Sequence, residues 1–539
     1  MSEIIPNGTV IFYSGVKMDP NYQNTLRWLT YEAQQNFFLN TLPRLATVER
    51  ISYQRVTRGV IRVQLGISTL NTCNYMAFVN TDLNNKWFYA FVTRTEYVNN
   101  TTTDIYYEID YIQTYYFQAS FGPCFVEREH VANDTVGAHT LPEPVRINSN
   151  IAPVLIQNIN VGDCAIVCAK VDIEEDQEFA AAEKVGNLVN PIKYYIFNSG
   201  YYDRTVGATV YKGFHTLTGL LMTQAWANAE SEIVSFFMFP FNLLGAPTDS
   251  GSNSLTRDVL STDVNIPRPS NLHGYVPRNN KLFTYPFSYI TVDNGDAVNQ
   301  YRWEWFRNPA VQFRYIGALC CNPEVYLMPI AYNNSDGNAA PCWAEKSVIN
   351  NFPQIPFAVD SYRAWLAQTQ STRKNKLISG IATGAVGGGS TGAAAGPIGA
   401  AVGAFIGGVG GAITAGINNS IADAEARDQA NKWSGASTGN TEIATGNLAF
   451  RVNHMCLTAE QAKVIDDFFN MYGYQVNEVK APSIHTRQRW NYLKTNGLNV
   501  VGSVPAECYD TLRRIHEHGI TYWENHAEIG NYALANPPV

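Results

Sequence analysis

Between Leu377 and Ala422 the chain has no Asp, Glu, Lys, Arg or His. A run without any charge is compatible with lipid. Charge is sparse elsewhere too, at 16% of the 539 residues, and the formal net charge of −8 excludes a basic nucleic-acid-binding surface. A like-charged wall would still let a duplex slide past. No CxxC pair occurs among the nine cysteines, whose odd number and scatter exclude a disulfide framework and predict buried thiols made in a reducing cytoplasm. Met1 to Val10 lacks a basic region followed by an apolar run, so no secretory signal is predicted. No repeat of fixed period is present, which excludes a propeller or β-helix. HExxH, GxSxG, GxxxxGK[ST] and a dinucleotide fingerprint are all missing, so the sequence predicts neither an enzyme nor a cofactor.

What is present is aromatic and β-rich. Aromatics make up 12% of the chain, 31 of them tyrosine, which points to strands and broad subunit interfaces. Length predicts several domains, since single cores stop growing at ~250 to 300 residues. Ile61, Val63 and Leu65 alternate with Arg62 and Gln64 as in a half-buried strand. Trp87 to Thr93 and Ile105 to Tyr111 flank the polar turn Asn99 to Thr103, a hairpin pattern. Leu26, Leu29, Ala33 and Phe37 predict a helix over Tyr22 to Asn40. From about 150 to 350 strands continue, with Pro267, Pro269 and Pro277 marking an extended connector. Thr458 and Gln461 read as a capping box for a helix closed by Gly473, and a second helix runs from near Pro505 to Gly519. Gln475 to Val479 and Arg489 to Lys494 read as strands.

Within the uncharged stretch, glycines recur every fourth residue in two series, Gly384, Gly388, Gly392, Gly396 and Gly399, Gly403, Gly407, Gly411. Pro397 separates them, giving two arms of about 20 residues, each long enough to cross a bilayer. Leu377, Ile378, Ile381, Val386, Ile398, Val402, Phe405, Ile406, Val409 and Ile413 are the apolar positions that would enter lipid. The glycines would let helices approach closely there. Composition leaves two readings, a membrane-active hairpin that oligomerises or a flexible Gly/Ala-rich loop, because glycine costs roughly 1 kcal/mol per helical position. Asp360 to Gln370 and Ile421 to Trp433 read as helices bracketing this insertion.

Candidate polar sites are few. His516, Glu517, His518 and His526 form the densest group of metal-ligand types, but His516 and His518 fall on different sides of a helix, so no metal is predicted. Cys164 and Cys168 read as buried strand cysteines. Glu127, Arg128, Glu129, His130 and Asp134 read as a solvated or ion-paired strand end, with acid-base catalysis as the lesser alternative.

That last group belongs to a longer pattern. It comprises Cys124-Phe125-Val126-Glu127-Arg128-Glu129-His130-Val131, then Asp134, Gly137, His139-Thr140 and Pro142-Glu143. Upstream stand Asn74-Tyr75-Met76, Asn80, Lys86-Trp87-Phe88-Tyr89-Ala90-Phe91, Tyr97-Val98-Asn99, Tyr107-Glu108-Ile109-Asp110 and Gln113-Thr114. Near the C-terminus stand Gly473-Tyr474-Gln475-Val476-Asn477, Arg489-Trp490-Asn491-Tyr492 and Gly519-Ile520-Thr521-Tyr522-Trp523. Together they resemble the distal tail-tube, or tail-knob, proteins of small short-tailed phages with protein-primed genomes, and the resemblance implies a histidine where this chain has Glu524. The likeness covers the first 150 residues and the last 90.

The resemblance implies a mainly β (α+β) fold. Residues 1–150 and 436–539 would form tail-tube β-barrel modules, 151–359 a β-rich middle region, and 360–435 helices flanking the hydrophobic loop 377–422. It further implies a tail-tip component of the virion, made in the host cytoplasm and assembled as a homohexamer with other tail proteins. Phage DNA would pass through its lumen without specific binding. Its hydrophobic loops would plug that lumen and later insert in the host cytoplasmic membrane to form a pore. A receptor-binding adhesin using the 151–359 loops, and a cell-wall-degrading enzyme, are the alternative readings.

Overall fold

Alternating side chains make the strands at the start of the chain serve two cores at once. A computed structural model describes residues 8–51, 59–80, 85–147, 150–162, 164–171, 192–198, 200–206, 209–213, 233–244, 261–318, 323–350 and 449–539. It also describes short pieces at 184–185, 188–189, 215–216, 254–255, 352, 354–355, 357–359 and 432–434. The chain divides into two units. Unit 1 takes residues 1–151, 270–287 and 457–539, and unit 2 takes 152–269 and 288–456.

The strands of unit 1 used below are β1 (Gly8–Ser14), β2 (Thr25–Leu26), β3 (Arg44–Ile51), β4 (Val60–Val63), β5 (Cys73–Asn80), β6 (Trp87–Asn99), β7 (Thr102–Ile109), β8 (Ala119–Phe121) and β9 (Cys124–Glu129). From the C-terminal segment come β10 (Tyr474–Lys480), β11 (Trp490–Asn496), β12 (Val500–Gly502) and β13 (Ile520–Trp523). The first sheet is antiparallel with order β3-β1-β5-β6-β7-β4. Val10, Phe12, Met76, Phe78 and Ala90 point to a core made within the N-terminal segment. Their neighbours Ile11, Tyr13, Tyr75, Ala77, Tyr89 and Phe91 point to a second core shared with Trp490, Leu493, Tyr522 and Trp523. The second sheet, β2-β13-β11-β9-β10, therefore interleaves strands from both ends of the sequence.

Local patterns explain the elements. β4 alternates as expected, with Val63 buried and Arg62 outward, where it meets Asp104 across the strands at 2.6 and 2.7 Å. The β6–β7 hairpin is longer than predicted, and its turn is fixed by Asn99, whose side-chain oxygen accepts from the Thr101 amide at 2.9 Å. α1 (Tyr31–Asn36) and α2 (Tyr111–Tyr115) are capped by Thr30 and Asp110. The helix expected over Tyr22 to Asn40 is thus only its last part. The Asp19 carboxylate accepts from the amides of Asn21, Gln23 and Asn24, which turns that stretch out of helix, and Thr25 and Leu26 then pair parallel to β13.

α3 (Ala459–Tyr472) and α4 (Ala506–His518) lie where periodicity placed them. The capping box is corrected: Thr458 is the N-cap residue but its hydroxyl makes no cap bond, and Gln461 accepts from Asn150 at 3.2 Å instead. Gly473, at φ +65°, ends α3 against β9, and a Cβ there would collide with the Glu129 carbonyl.

Among the described residues, unit 2 contains three larger sheets. One is centred on Cys164–Val171 between Ile192–Phe197 and Ile233–Pro240. Another runs Ser261–Ile266, Val311–Ala318, Glu324–Pro329, Ser347–Ile349. The third joins Ile151–Asn160, Ala449–Leu457, Ser288–Asp293 and Val298–Tyr301. A core rich in aromatic and branched residues, including Phe237, Phe239, Trp303, Phe313, Leu327 and Phe450, lies within unit 2. Cys164 and Cys168 are buried on their strand as predicted.

Candidate functional site

All ten apolar positions from Leu377 to Ile413 and all eight glycines from Gly384 to Gly411 lie outside the described residues, as do the bracketing segments 360–370 and 421–431. What is described is where that insertion is rooted. Phe357–Val359 pairs antiparallel with Lys432–Ser434, with Phe357 opposite Ser434 and Val359 opposite Lys432. The helix expected to run through Trp433 is corrected at its end, because 432–434 is strand. An antiparallel pair forces the two chain directions at residues 359 and 432 to meet, so the insertion begins and ends at one place in unit 2. Among the described residues, no helix is long and apolar enough to cross a membrane.

The motif around residue 128 has become a buried network in unit 1. The Glu143 side chain is 0% exposed and receives two cations, Arg128 at one oxygen and Lys281 at the other, plus the Gln475 amide at 2.9 Å. Arg128 also donates to the Gly473 carbonyl at 2.6 Å and lies over the Phe468 ring. Asp134 accepts from the Tyr474 hydroxyl at 2.6 Å and faces Arg487 at 3.6 Å. His130 is fully enclosed. The Tyr492 amide donates to its Nδ1 at 2.7 Å and its Nε2–H donates to the Asn470 carbonyl at 3.1 Å. Burial, reinforced by nearby Arg487, pushes its pKa down to about 3, so it is neutral. Burial raises the Glu129 carboxyl although Lys480 pairs with it. Glu127 alone of the group reaches the surface, where it meets Lys494 at 2.7 Å.

The ion-paired reading of Glu127 to Asp134 therefore holds. Both nitrogens of His130 are already engaged by backbone. The network ties residues 127–143 to Lys281 and to 470–492.

Sequence reasoning missed Lys281, Arg487 and Asp466. Asp466 is buried and accepts from the Tyr275 hydroxyl at 2.7 Å and from the Asn279 amide and side chain at 3.1 and 2.9 Å. Its position between Ala462, Ile465 and Phe469 on the apolar side of α3 was the available signal.

The histidines near the C-terminus do not converge. His516 is buried, donating from Nδ1 to the Leu512 carbonyl and accepting from the Tyr522 hydroxyl, both at 2.8 Å. His518 is exposed on another side of α4, and His526 accepts from the Lys17 amide at 3.1 Å. No metal-holding group of three or more His, Cys, Asp or Glu occurs among the described residues.

Comparison with known proteins assigns this architecture. The chain is 28% identical to the tail knob protein gp9 of Bacillus phage B103 and 26% identical to that of Bacillus phage phi29, in each case over 99% of this chain and 100% of the relative. The solved tail knob protein gp12 of bacteriophage C1 has the same fold, with a TM-score of 0.61 at 14% identity over 99% of this chain and all of that one. Residues 6–120 match the Caudoviral major tail protein N-terminus. Residues 253–537, more than half of the chain, match the C-terminal domain of the phi29 tail knob protein gp9. This chain is a structural virion component of a phage tail and belongs to the phi29-type tail knob protein gp9 family.

Proposed function

We propose that this tail protein forms a homohexameric tube at the tail tip, in contact with other tail proteins. Phage DNA leaves through that tube without specific binding. Residues 1–150 and 436–539 act as its tube modules, and Leu377 to Ala422 plugs the lumen before insertion in the host cytoplasmic membrane as a pore. The observation that carries this reading is the junction of two facts: a stretch with no ionisable side chain, and the pairing of Phe357–Val359 with Lys432–Ser434 at its base. An apolar segment rooted at one point can be extruded as a loop without disturbing the strands that hold it. A non-enzymatic role is supported by the relatives, which are structural tail knob proteins, and by the consumption of Glu129, His130, Asp134 and Glu143 in buried bonds.

The test uses virions carrying the chain with Ile378 to Ile417 deleted, beside virions in which Gly399, Gly403 and Gly407 are all leucine. Both are expected to assemble and adsorb. The deletion should abolish dye release from liposomes and DNA delivery. The leucine variant should still bind liposomes but release dye poorly. Undiminished delivery by the deletion virion would refute the pore, and equal dye release by the leucine variant would refute the glycine-packed contact.

A further inference from the structure

The order of strands in unit 1 sets an order of events. β9 lies between β10 and β11, so both of its neighbours come from the C-terminal segment. β2 pairs with β13, and β8 pairs with β12, so those N-terminal strands also find their partners there. The polar groups follow the same division. Without residues 457–539, His130 loses Tyr492 and Asn470, Asp134 loses Tyr474 and Arg487, Arg128 loses the Gly473 carbonyl, and Leu26 loses its strand partner Trp523. Buried polar groups without partners oppose closure of the fold. The hairpins from β1 to β7 need only local pairing, but the face formed by Ile11, Tyr13, Tyr75, Tyr89 and Phe91 has its core completed by the C-terminal segment.

Unit 2 has no such debt to the C-terminal segment. Its strands lie between residues 151 and 457, and all of its larger sheets are complete once Ala449–Leu457 has been made. Domains ordinarily fold from the N-terminus as the chain emerges. Here the topology reverses that order.

We infer that residues 457–539 act as a completion latch: unit 2 folds first, and the N-terminal part of unit 1 stays open, withheld from assembly, until the C-terminal strands are translated. In a protein built to join other copies and other tail proteins, such a latch keeps ribosome-bound chains from nucleating assembly. The folding order stands on the strand topology alone, and only its assembly arm rests on the tube reading.

Two measurements test it. In the first, ribosome-stalled chains ending in a flexible linker after Cys456 or after Val539 are compared by pulsed hydrogen exchange and mass spectrometry. Peptides covering 119–143 should lack protection in the shorter chain and gain it in the longer, while peptides covering 311–329 should be protected in both. Protection of 124–131 in the shorter chain overturns the latch. So does loss of protection at 311–329, which would mean that the whole chain folds as one unit. In the second, the full chain is refolded from denaturant with pulse labelling, and Val311–Ala318 should become protected before β9. Simultaneous or reversed protection overturns the order. Released chains ending at Cys456 should stay monomeric on gel filtration where the full chain assembles; assembly of the shorter chain overturns the latch. A full chain that stays monomeric counts against the tube reading, while the exchange measurements still decide the latch.

Discussion

Units 1 and 2 are both β-rich and both enclose cores rich in aromatic residues, yet unit 1 adds a network of buried charges to that packing. Unit 1 buries charge: the Glu143 side chain at 0% exposure is clamped by Arg128 and Lys281, Asp466 is saturated with donors, and His130 is locked between two backbone groups. Unit 2 buries rings and branched chains, and the ion pairs Arg314 with Asp263 and Lys212 with Asp203 lie partly exposed at its surface. A buried ion pair contributes modest net stability but makes any mismatched arrangement costly. Unit 1, assembled from three separated pieces of chain, needs that discrimination more than unit 2 does. The difference teaches that unit 1 should respond to charge and pH as well as to volume.

The largest effect expected from breaking this contrast is at Glu143. Glu143→Gln keeps the shape but leaves Arg128 and Lys281 buried without a counter-charge, which should cost unit 1 ~3–5 kcal/mol. Hydrogen exchange resolved by unit should show the loss in β9 and β10, with Val311–Ala318 unchanged. A destabilisation shared equally by both units would mean that the charge network is not local to unit 1.

The next effect is acid sensitivity. His130 and His516 are fully buried, with pKa values pushed down to about 3 and about 4 by desolvation. Their unfolded values lie near 6.5, so the unfolded chain takes up protons first as pH falls. Stability from each is complete above about 6.5 and declines by ~1.4 kcal/mol per pH unit below it, until the folded pKa is reached. Asp110 runs the other way. Burial raises its carboxyl to about 7, although it caps α2 by accepting from the Gln113 amide and accepts from the Tyr75 hydroxyl, both at 3.0 Å. Its contribution is fully present below the ordinary value of 3.8 and is lost as pH rises through about 7. Between pH 6.5 and 4.5 one of the three opposes the other two, so that together these three groups contribute a loss of ~1.4 kcal/mol per pH unit.

Asp110→Asn sharpens that test, because asparagine still caps a helix while removing the opposing titration. Unit 1 of the variant should lose stability more steeply on acidification between pH 6.5 and 4.5, by a further ~1.4 kcal/mol per pH unit. Denaturant unfolding followed unit by unit checks it. An unchanged slope would mean that Asp110 is already ionised in the fold.

Much of the local structure was legible because it depends on near neighbours. The alternation at Ile61 to Val63, the β6–β7 hairpin and helices α3 and α4 all follow from periodicity and turn chemistry. The misread stretches are those where a competing local bond or a distant partner wins. Asp19 gathers three amides and ends the helix expected at Tyr22, and Trp433 is strand because Ala358 lies opposite it. The placement of β9 between β10 and β11 was not legible, since its partners lie some 345 residues away and no pattern in Cys124 to Glu129 names them. The charged group Glu127 to Asp134 was visible as candidate ion pairs, but Lys281 lies in the single 3-10 turn Asn280–Phe283 and Arg487 at an isolated bridge to Pro538, neither long enough to show a periodicity that would flag it. The uncharged stretch was the plainest feature of all, because composition alone defines it, and it lies outside the described residues.

The smallest expected effect tests the other side of the comparison. Arg314 and Asp263 stand directly opposite on neighbouring strands of unit 2 and make two bonds, at 2.7 and 2.9 Å, with side-chain exposures of 30% and 40%. Good geometry does not make such a pair strong, because water screens it and both side chains give up rotamer freedom. A double-mutant cycle with Arg314→Ala and Asp263→Ala should give a coupling below ~1 kcal/mol that shrinks further at high salt. The same cycle with Arg128→Ala and Glu143→Ala should give several-fold more and resist salt, since Glu143 is out of reach of solvent ions. A surface coupling as large as the buried one, or a buried coupling as sensitive to salt as the surface one, would erase the distinction between the two units.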